Sequence, residues 1–211
     1  MSDILVETLD GVTTLTLNRV ARKNAITADM YALMAGALVD AAADDACRVL
    51  VIQGHETIFS AGNDIADFLN NPPAGPQAPV FQFLHGIAAF PKPVLASVCG
   101  PAVGIGSTLL LHCDLVYAGD NAVFSMPFVN LGLVPEAASS YMLPQLMGYH
   151  RAAEVLLMGE PFMADTALEI GFVNRVLAPT ETNAYTQAQA VKMAKKPLSS
   201  LTESKRLMKA P

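Results

Sequence analysis

The 211-residue sequence has no C-x-x-C pair, no H-E-x-x-H motif and no Walker-type G-x-x-x-x-G-K-[ST] loop. It also has no run near the ~20 apolar residues that a membrane span needs. Each absence removes a class of protein. Without ligand spacing a metal centre is not expected, and without the phosphate loop a P-loop nucleotide site is not. Met1-Ser2-Asp3 has no basic n-region and no long apolar segment follows, so the expectation is a cytoplasmic chain with no membrane partner. Positive charge is also scarce. Lys and Arg total 13 against 19 Asp and Glu, a net charge of −6. Affinity for nucleic acid comes mostly from cations on phosphates, so no nucleic-acid partner is expected. A small anionic ligand needs only a local basic patch and stays open. The three cysteines, Cys47, Cys99 and Cys113, are odd in number and far apart in apolar runs. They read as buried thiols of a reducing compartment.

What is present is apolar. Hydrophobic residues make up 52% and charged residues 15%, enough for a sizeable core and against global disorder. Asp10-Gly11 between two β-prone runs, 4–9 and 12–17, predicts a hairpin. Thr27 can cap a helix whose apolar face holds Met30, Leu33, Met34, Ala37, Leu38 and Ala41. The runs 48–53 and 94–99 read as buried strands, with a helix between them starting near Val80. The Asn- and Pro-rich stretch 68–79 reads as a mobile loop. After Gly132 the pattern is mainly helical: 137–147, 151–158, 164–171, 182–195 and 198–208, punctuated by Pro144, Pro161, Pro179 and Pro197. A sheet-rich front and a helical back predict an α/β core with a helical C-terminal region.

Two glycine-bearing turns carry the first chemical signal. One is Phe59-Ser60-Ala61-Gly62-Asn63-Asp64-Ile65, the other Gly100-Pro101-Ala102-Val103-Gly104-Ile105-Gly106-Ser107-Thr108. Each is expected to follow a strand and open a helix, where the first N–H groups lack internal partners. Aimed at one point, the two turns make a two-donor oxyanion hole. The plainer reading, that the glycines simply turn the chain, is the commoner one on pattern alone. Gly104-x-Gly106 lacks the third glycine and the downstream acid of a dinucleotide fingerprint.

The second signal is Glu136, a lone carboxylate in Leu131-Gly132-Leu133-Val134-Pro135-Glu136-Ala137-Ala138-Ser139-Ser140. It reads either as a first-turn helix acid favoured by the dipole, the more frequent case, or as a desolvated general base. The four histidines share no motif. His112, on an apolar helix, reads as a satisfied core group. Ser60 and Ser107 lack a G-x-S-x-G elbow, so a serine hydrolase fits poorly.

Several segments in register give a family resemblance. Leu17-Asn18-Arg19 with Asn24-Ala25, the turn Phe59-Ser60-Ala61-Gly62-Asn63-Asp64, the run from Pro91-Lys92-Pro93-Val94 to Gly106, and Cys113-Asp114-Leu115-Val116-Tyr117-Ala118 resemble crotonases, the enoyl-CoA hydratase/isomerase family. Val20 stands where the family usually has proline. The resemblance implies a ββα spiral core over residues 1–136. It implies a helical trimerisation region over 137–211, shorter here than usual, and a homotrimer or dimer of trimers. It implies an acyl-CoA thioester as substrate, with coenzyme A arriving on the substrate and no separate cofactor.

Carried over residue by residue, the oxyanion donors are the N–H groups of Asn63 and Ile105. Backbone from Ser60 through Ala61, Gly62, Asn63 and Asp64 to Ile65, with Gly104, lines the CoA and thioester site. Arg22 and Lys23 meet the CoA phosphates. The two glutamates of the hydratases fall on Thr108 and Phe128, neither of which can act as a base. Glu136 matches the single glutamate of the 3-enoyl-CoA to 2-enoyl-CoA isomerases. Isomerisation is thus the leading expectation. Hydration or another crotonase reaction is the alternative, and a non-catalytic CoA-binding protein the second.

Overall fold

The structure, a computed structural model, describes residues 2–209. Asp10 and Gly11 both take positive φ, 52° and 81°, the pairing that a tight hairpin turn demands. They join β1 (Ile4–Leu9) to β2 (Val12–Leu17), with Leu9 opposite Val12. Helix α1 (Ala28–Ala43) starts where Thr27 Oγ1 accepts the Met30 N–H at 3.3 Å. Then come β3 (Val49–Gln53), α2 (Ile65–Asn70), α3 (Pro79–Ala89), β4 (Val94–Val98) and β5 (Pro101–Val103). The short α4 (Ile105–Thr108) runs on as a 3-10 turn, Leu109–His112, and β6 (Leu115–Gly119) and β7 (Val123–Ser125) follow. The back half holds α5 (Ser139–Met147), α6 (Tyr149–Ala153), a π-helical turn Glu154–Met158, β8 (Phe162–Met163), α7 (Ala164–Glu169), β9 (Arg175–Leu177), α8 (Pro179–Ala194) and α9 (Leu198–Lys209).

Six strands form the main sheet in the order β1-β2-β3-β4-β6-β9. Only the β1–β2 pair is antiparallel. A second sheet of three, β5-β7-β8, stands beside it. The central strands are buried on both faces, which explains their unbroken apolar runs. Alternation assigns the faces. Leu50, Ile52, Val94 and Ala96 pack with α1 and α3, while Val49, Val51 and Leu95 pack with α8. Helix α8 lies close to the sheet because it presents Ala190 and Ala194. Its buried Thr182 and Thr186 return their hydroxyls to carbonyls one turn back, at 2.9 and 2.8 Å. Residues 137–209 are mostly helical, yet they supply β8 to the small sheet and β9 to the large one. Helix α9 is tied down by Lys205, whose Nζ donates to Asp114 Oδ2 at 2.7 Å and to the Lys92 carbonyl at 2.8 Å.

Three sequence expectations are corrected. Leu33 is half exposed rather than on the core face of α1. The stretch 68–79 is not all loop, because α2 extends to Asn70 with Asp64 as its cap. Pro144 lies inside α5, within the helix expected over 137–147; the partner it cannot bond belongs to Ser140, which is exposed. Helix α5 begins at Ser139, not at Ala137, because Ala137 and Ala138 both take left-handed backbone, with φ of 54° and 56°.

Candidate active site

The two glycine turns touch. The N–H groups of Phe59 and Ser60 donate to the Pro101 carbonyl at 3.2 and 3.0 Å, and the Val103 N–H returns to the Ser60 carbonyl at 2.9 Å. A Cβ on Gly62 would sit 2.9 Å from the Val103 carbonyl oxygen, and one on Gly106 would sit 3.0 Å from that of Ser60. Glycine is therefore needed for close approach, and at Gly62, with φ +89°, for conformation as well. The first turn is braced from within. Ser60 Oγ donates to the Asn24 carbonyl at 2.9 Å and accepts the Gly62 N–H at 3.1 Å. Asn24, fully buried, donates to the Phe59 carbonyl at 3.0 Å and accepts the Arg19 N–H at 2.8 Å.

Two N–H groups on these turns have no acceptor among the described residues. The Ile26 N–H donates to the Gly62 carbonyl, and the Asp64 N–H donates to the Ile26 carbonyl, at 2.8 and 2.9 Å. In that parallel bridge Asn63 is the residue between, so its own N–H faces the other way. Gly104, at φ 55° and ψ −118°, aims the next peptide so that the Ile105 N–H opens α4. Among the described residues neither N–H has an acceptor. Two free donors on touching turns can hold an oxygen that gains negative charge.

Glu136 lies in irregular chain three residues before α5, so it is not a first-turn acid of that helix. It is half-buried, and loss of water pushes its carboxyl up to about 7, opposite to what a helix N-terminus does. Its electrostatic neighbour is Tyr31 of α1. Burial, and then the Glu136 charge, raise that phenol well above its ordinary value. The Tyr31 hydroxyl donates to Asn63 Oδ1 at 2.5 Å. Glu136 and the first turn thus share Tyr31 as a neighbour.

The chain after Glu136 is strained. Left-handed backbone costs a non-glycine residue ~1–2 kcal/mol, and Ala137 and Ala138 both adopt it. Side chains hold it there. Ser139 donates its Oγ–H and N–H to the Glu136 carbonyl at 2.6 and 3.0 Å. His112 Nε2 donates to the Ala137 carbonyl at 2.9 Å.

The other expected site residues fall as follows. Thr108 and Phe128 are buried, and neither offers a carboxylate; the Thr108 hydroxyl has no partner among the described residues. Arg22 and Lys23 are exposed on a 3-10 turn, and the Lys23 carbonyl accepts the Ala61 N–H at 2.9 Å, placing both cations beside the first glycine turn. The Asp64 carboxylate is committed elsewhere. A hydrogen bond from Arg19, 2.8 Å, leads the causes that lower its pKa, and its other oxygen caps α2. It is poorly suited to serve as a base. Ile65 is exposed. A cleft of about 390 Å³ opens from Tyr31 and Asn63 past Phe68 to Pro72, Pro73 and Val80, apolar for most of its length.

Sequence reasoning missed Tyr31 and Ser139, whereas His112, expected as a satisfied core group, is buried and bonded to the Ala137 carbonyl. Tyr31 is indistinguishable from a core aromatic on the α1 face. His112 and Ser139 act through backbone carbonyls, which no sequence pattern marks.

Among the described residues no helix is long and apolar enough to cross a membrane. The profile of the Enoyl-CoA hydratase/isomerase family matches residues 7–211. Enoyl-CoA delta isomerase 2 of Rattus norvegicus is 40% identical over 98% of this chain and 54% of its own length. The 4-chlorobenzoyl coenzyme A dehalogenase-2 of an Arthrobacter species is 35% identical over 84% of this chain and 67% of its own. The chain spans about half to two thirds of the length of these curated relatives. Among solved structures, OdaA of Pseudomonas aeruginosa is 48% identical, with a TM-score of 0.97 over 100% of this chain and 86% of that one. The spiral of parallel strands, the touching glycine turns and these matches agree: the chain belongs to the enoyl-CoA hydratase/isomerase, or crotonase, family and has its fold.

Proposed function

We propose that this acyl-CoA-processing enzyme isomerises 3-enoyl-CoA to 2-trans-enoyl-CoA. Glu136 takes a proton from C2, the double bond moves from C3–C4 to C2–C3, and the same carboxyl returns the proton at C4. No atoms are gained or lost. The thioester oxygen, negatively charged in the dienolate between the two steps, rests on the N–H groups of Asn63 and Ile105. Coenzyme A comes with the substrate, so no further cofactor is required.

One observation carries this reading. Glu136 is a desolvated carboxyl raised to about 7, while the positions that bear hydratase glutamates hold Thr108 and Phe128. A group that both takes and gives a proton works best with a pKa near the working pH. The family also includes hydratases and a dehalogenase, which use the same acyl-CoA frame for other steps. The pair Thr108 and Phe128 weighs against ordinary hydration, since water attack there has no second carboxylate.

In the same proposal, Arg22 and Lys23 meet the CoA phosphates, and backbone from Ser60 to Ile65 with Gly104 lines the thioester arm. The apolar cleft beyond Tyr31 takes the acyl chain. A homotrimer, or a pair of trimers, is proposed from the resemblance. Exposed Leu131, Val134, Tyr141, Tyr149 and Leu157 support association of the back half. The free cysteines fit a reducing compartment such as the cytoplasm. The direct test is a spectrophotometric assay with a 3-enoyl-CoA. Appearance of conjugated 2-enoyl-CoA supports the reading. Turnover of 2-enoyl-CoA to a hydroxyacyl product, with none of the 3-enoyl substrate, replaces it with hydration.

A further inference from the structure

Glu136 is not anchored by its own helix, and the two alanines after it resist the conformation they adopt. Something must fix that backbone if the carboxyl is to stay out of water. Ser139 closes the turn locally, through the Glu136 carbonyl. Tyr141 and Met142 donate to the Ala138 carbonyl at 3.0 Å each, which is the start of α5. The Ala137 carbonyl lies between these, and its side-chain partner comes from far along the chain: His112.

His112 ends the helical stretch that begins at Ile105. One short rigid segment therefore carries a free oxyanion-type N–H at its start and the imidazole tether at its end. A carbonyl only accepts, so Nε2 must carry the hydrogen. Burial, first of all, lowers the imidazole pKa, and Lys209 and Lys205 of α9 push the same way against the carbonyl bond. The ring therefore stays neutral near pH 7, and its Nε2–H remains a donor across the working range. Among the described residues, Tyr31 of α1 faces Glu136, and Lys205 and Lys209 of α9 face His112.

We infer that His112 is the positioning residue of Glu136: through the Ala137 carbonyl it locks the left-handed turn that keeps the carboxyl buried and aligned with the Ile105 donor. The inference rests on Glu136 being the base. Its first test nevertheless needs no substrate. His112→Leu keeps the bulk and removes the donor. His112→Gln restores an N–H donor at a similar reach.

Glutamate carboxyls labelled with 13C are titrated in the full chain, with the Glu136 signal assigned by its loss in Glu136→Gln. The native midpoint is expected at about 7. In His112→Leu it should fall by at least about one unit, as the freed carboxyl reaches water, and in His112→Gln it should return to within about half a unit. A core histidine with no positioning role would cost stability and leave the midpoint in place. A folded His112→Leu protein with an unmoved midpoint overturns the inference.

If His112→Leu does not fold, the same change is made together with Ala137→Gly and Ala138→Gly. Glycine removes the strain that could unfold the untethered chain, but it takes positive and negative φ about equally, so the turn still needs the tether to lock it. The glycine variant with His112 intact serves as the reference. A lower midpoint on losing His112 in that background supports the inference, and an equal one overturns it.

Kinetics give the second readout. His112→Leu should lower kcat for the 3-enoyl-CoA about tenfold with KM little changed, and His112→Gln should recover most of it. If the carboxyl titration shifts but the native protein isomerises nothing, the positioning role stands and the proposed reaction falls.

Discussion

The glycine turns and the Glu136 segment serve one proposed reaction but are built in opposite ways. The turns at 59–65 and 100–108 are made of backbone. Their shape comes from glycines, from Asn24 and Ser60 bonding to the main chain, and from strands buried on both faces. The segment 129–138 has no regular structure after its first 3-10 turn, and Leu131, Leu133 and Val134 within it are exposed. It is held by His112, which reaches across from another element, and by the adjoining Ser139. Donors written in backbone tolerate changes of side chain, whereas a base hung on two alanines and a histidine does not. The design suits the chemistry. An oxyanion donor must not move, while a carboxyl needs only a dry place and a fixed aim.

The sharpest way to separate the two regions is to neutralise the base without touching the turns. Glu136→Gln keeps size and polarity. It should cut isomerase kcat by at least ~100-fold, the lower end for a positioned general base. Acyl-CoA binding should hardly change, because the Asn63 and Ile105 amides remain. In deuterated water the native enzyme should exchange a proton at C2, and the variant should not. Near-native turnover in Glu136→Gln would eliminate the single-base mechanism. Asp64 is then a poor substitute, because Arg19 holds its carboxyl below the usual range.

Striking the backbone side comes next. Asn63→Pro removes the N–H and Asn63→Ala keeps it. Loss of one oxyanion donor typically costs ~3 kcal/mol, or 10²–10³ in kcat. The Ala variant should lose much less, about tenfold at most, through the missing acceptor for the Tyr31 hydroxyl. Circular dichroism must show both folded. Equal loss in the two would move the function from the amide to the asparagine side chain.

The contrast between the regions matches what could be read from sequence. The hairpin at Asp10-Gly11, the Thr27 cap, the buried strands and both glycine turns were legible, because each is a local rule with a local cause. The Glu136 segment was legible only as a lone carboxylate. Its backbone reads as helix, since alanine favours helix, and only long-range bonds from His112 and the Ser139 turn force the left-handed shape. Tyr31 is core, at 4% exposure, yet it also touches the first turn. Double duty of that kind leaves no mark on hydrophobic periodicity.

A third prediction uses pH. Glu136 must be ionised to take a proton, so kcat/KM should rise with pH through about 7, with that limb absent in Glu136→Gln. Stability runs the other way. The folded carboxyl holds its proton more tightly than an unfolded one at 4.5, so the native state binds more protons between those values and loses stability as pH rises across them. Glu136→Gln should therefore be more stable than the native chain at pH 8, by at most ~3 kcal/mol, and not at pH 4. Denaturant titration at the two pH values measures it. An equal effect at both would mean that the carboxyl is not buried as its segment implies.

The smallest expected effect concerns the charges beside the turns. Arg22 and Lys23 are exposed, and a solvated cation–phosphate contact contributes about 0.2–1 kcal/mol. Arg22→Ala or Lys23→Ala should thus raise KM for an acyl-CoA only about two- to fivefold. The effect should fade between low and high salt, because exposed charges are screened within ~10 Å at 0.1 M. Neither change should touch kcat, because the Lys23 carbonyl that holds the Ala61 N–H is backbone and survives both substitutions. A thioester lacking the nucleotide half of coenzyme A should show the same KM in native and variant proteins. A change in kcat instead would mean that the exposed turn steers the backbone donors, and that side chains matter on this side of the site as they do around Glu136.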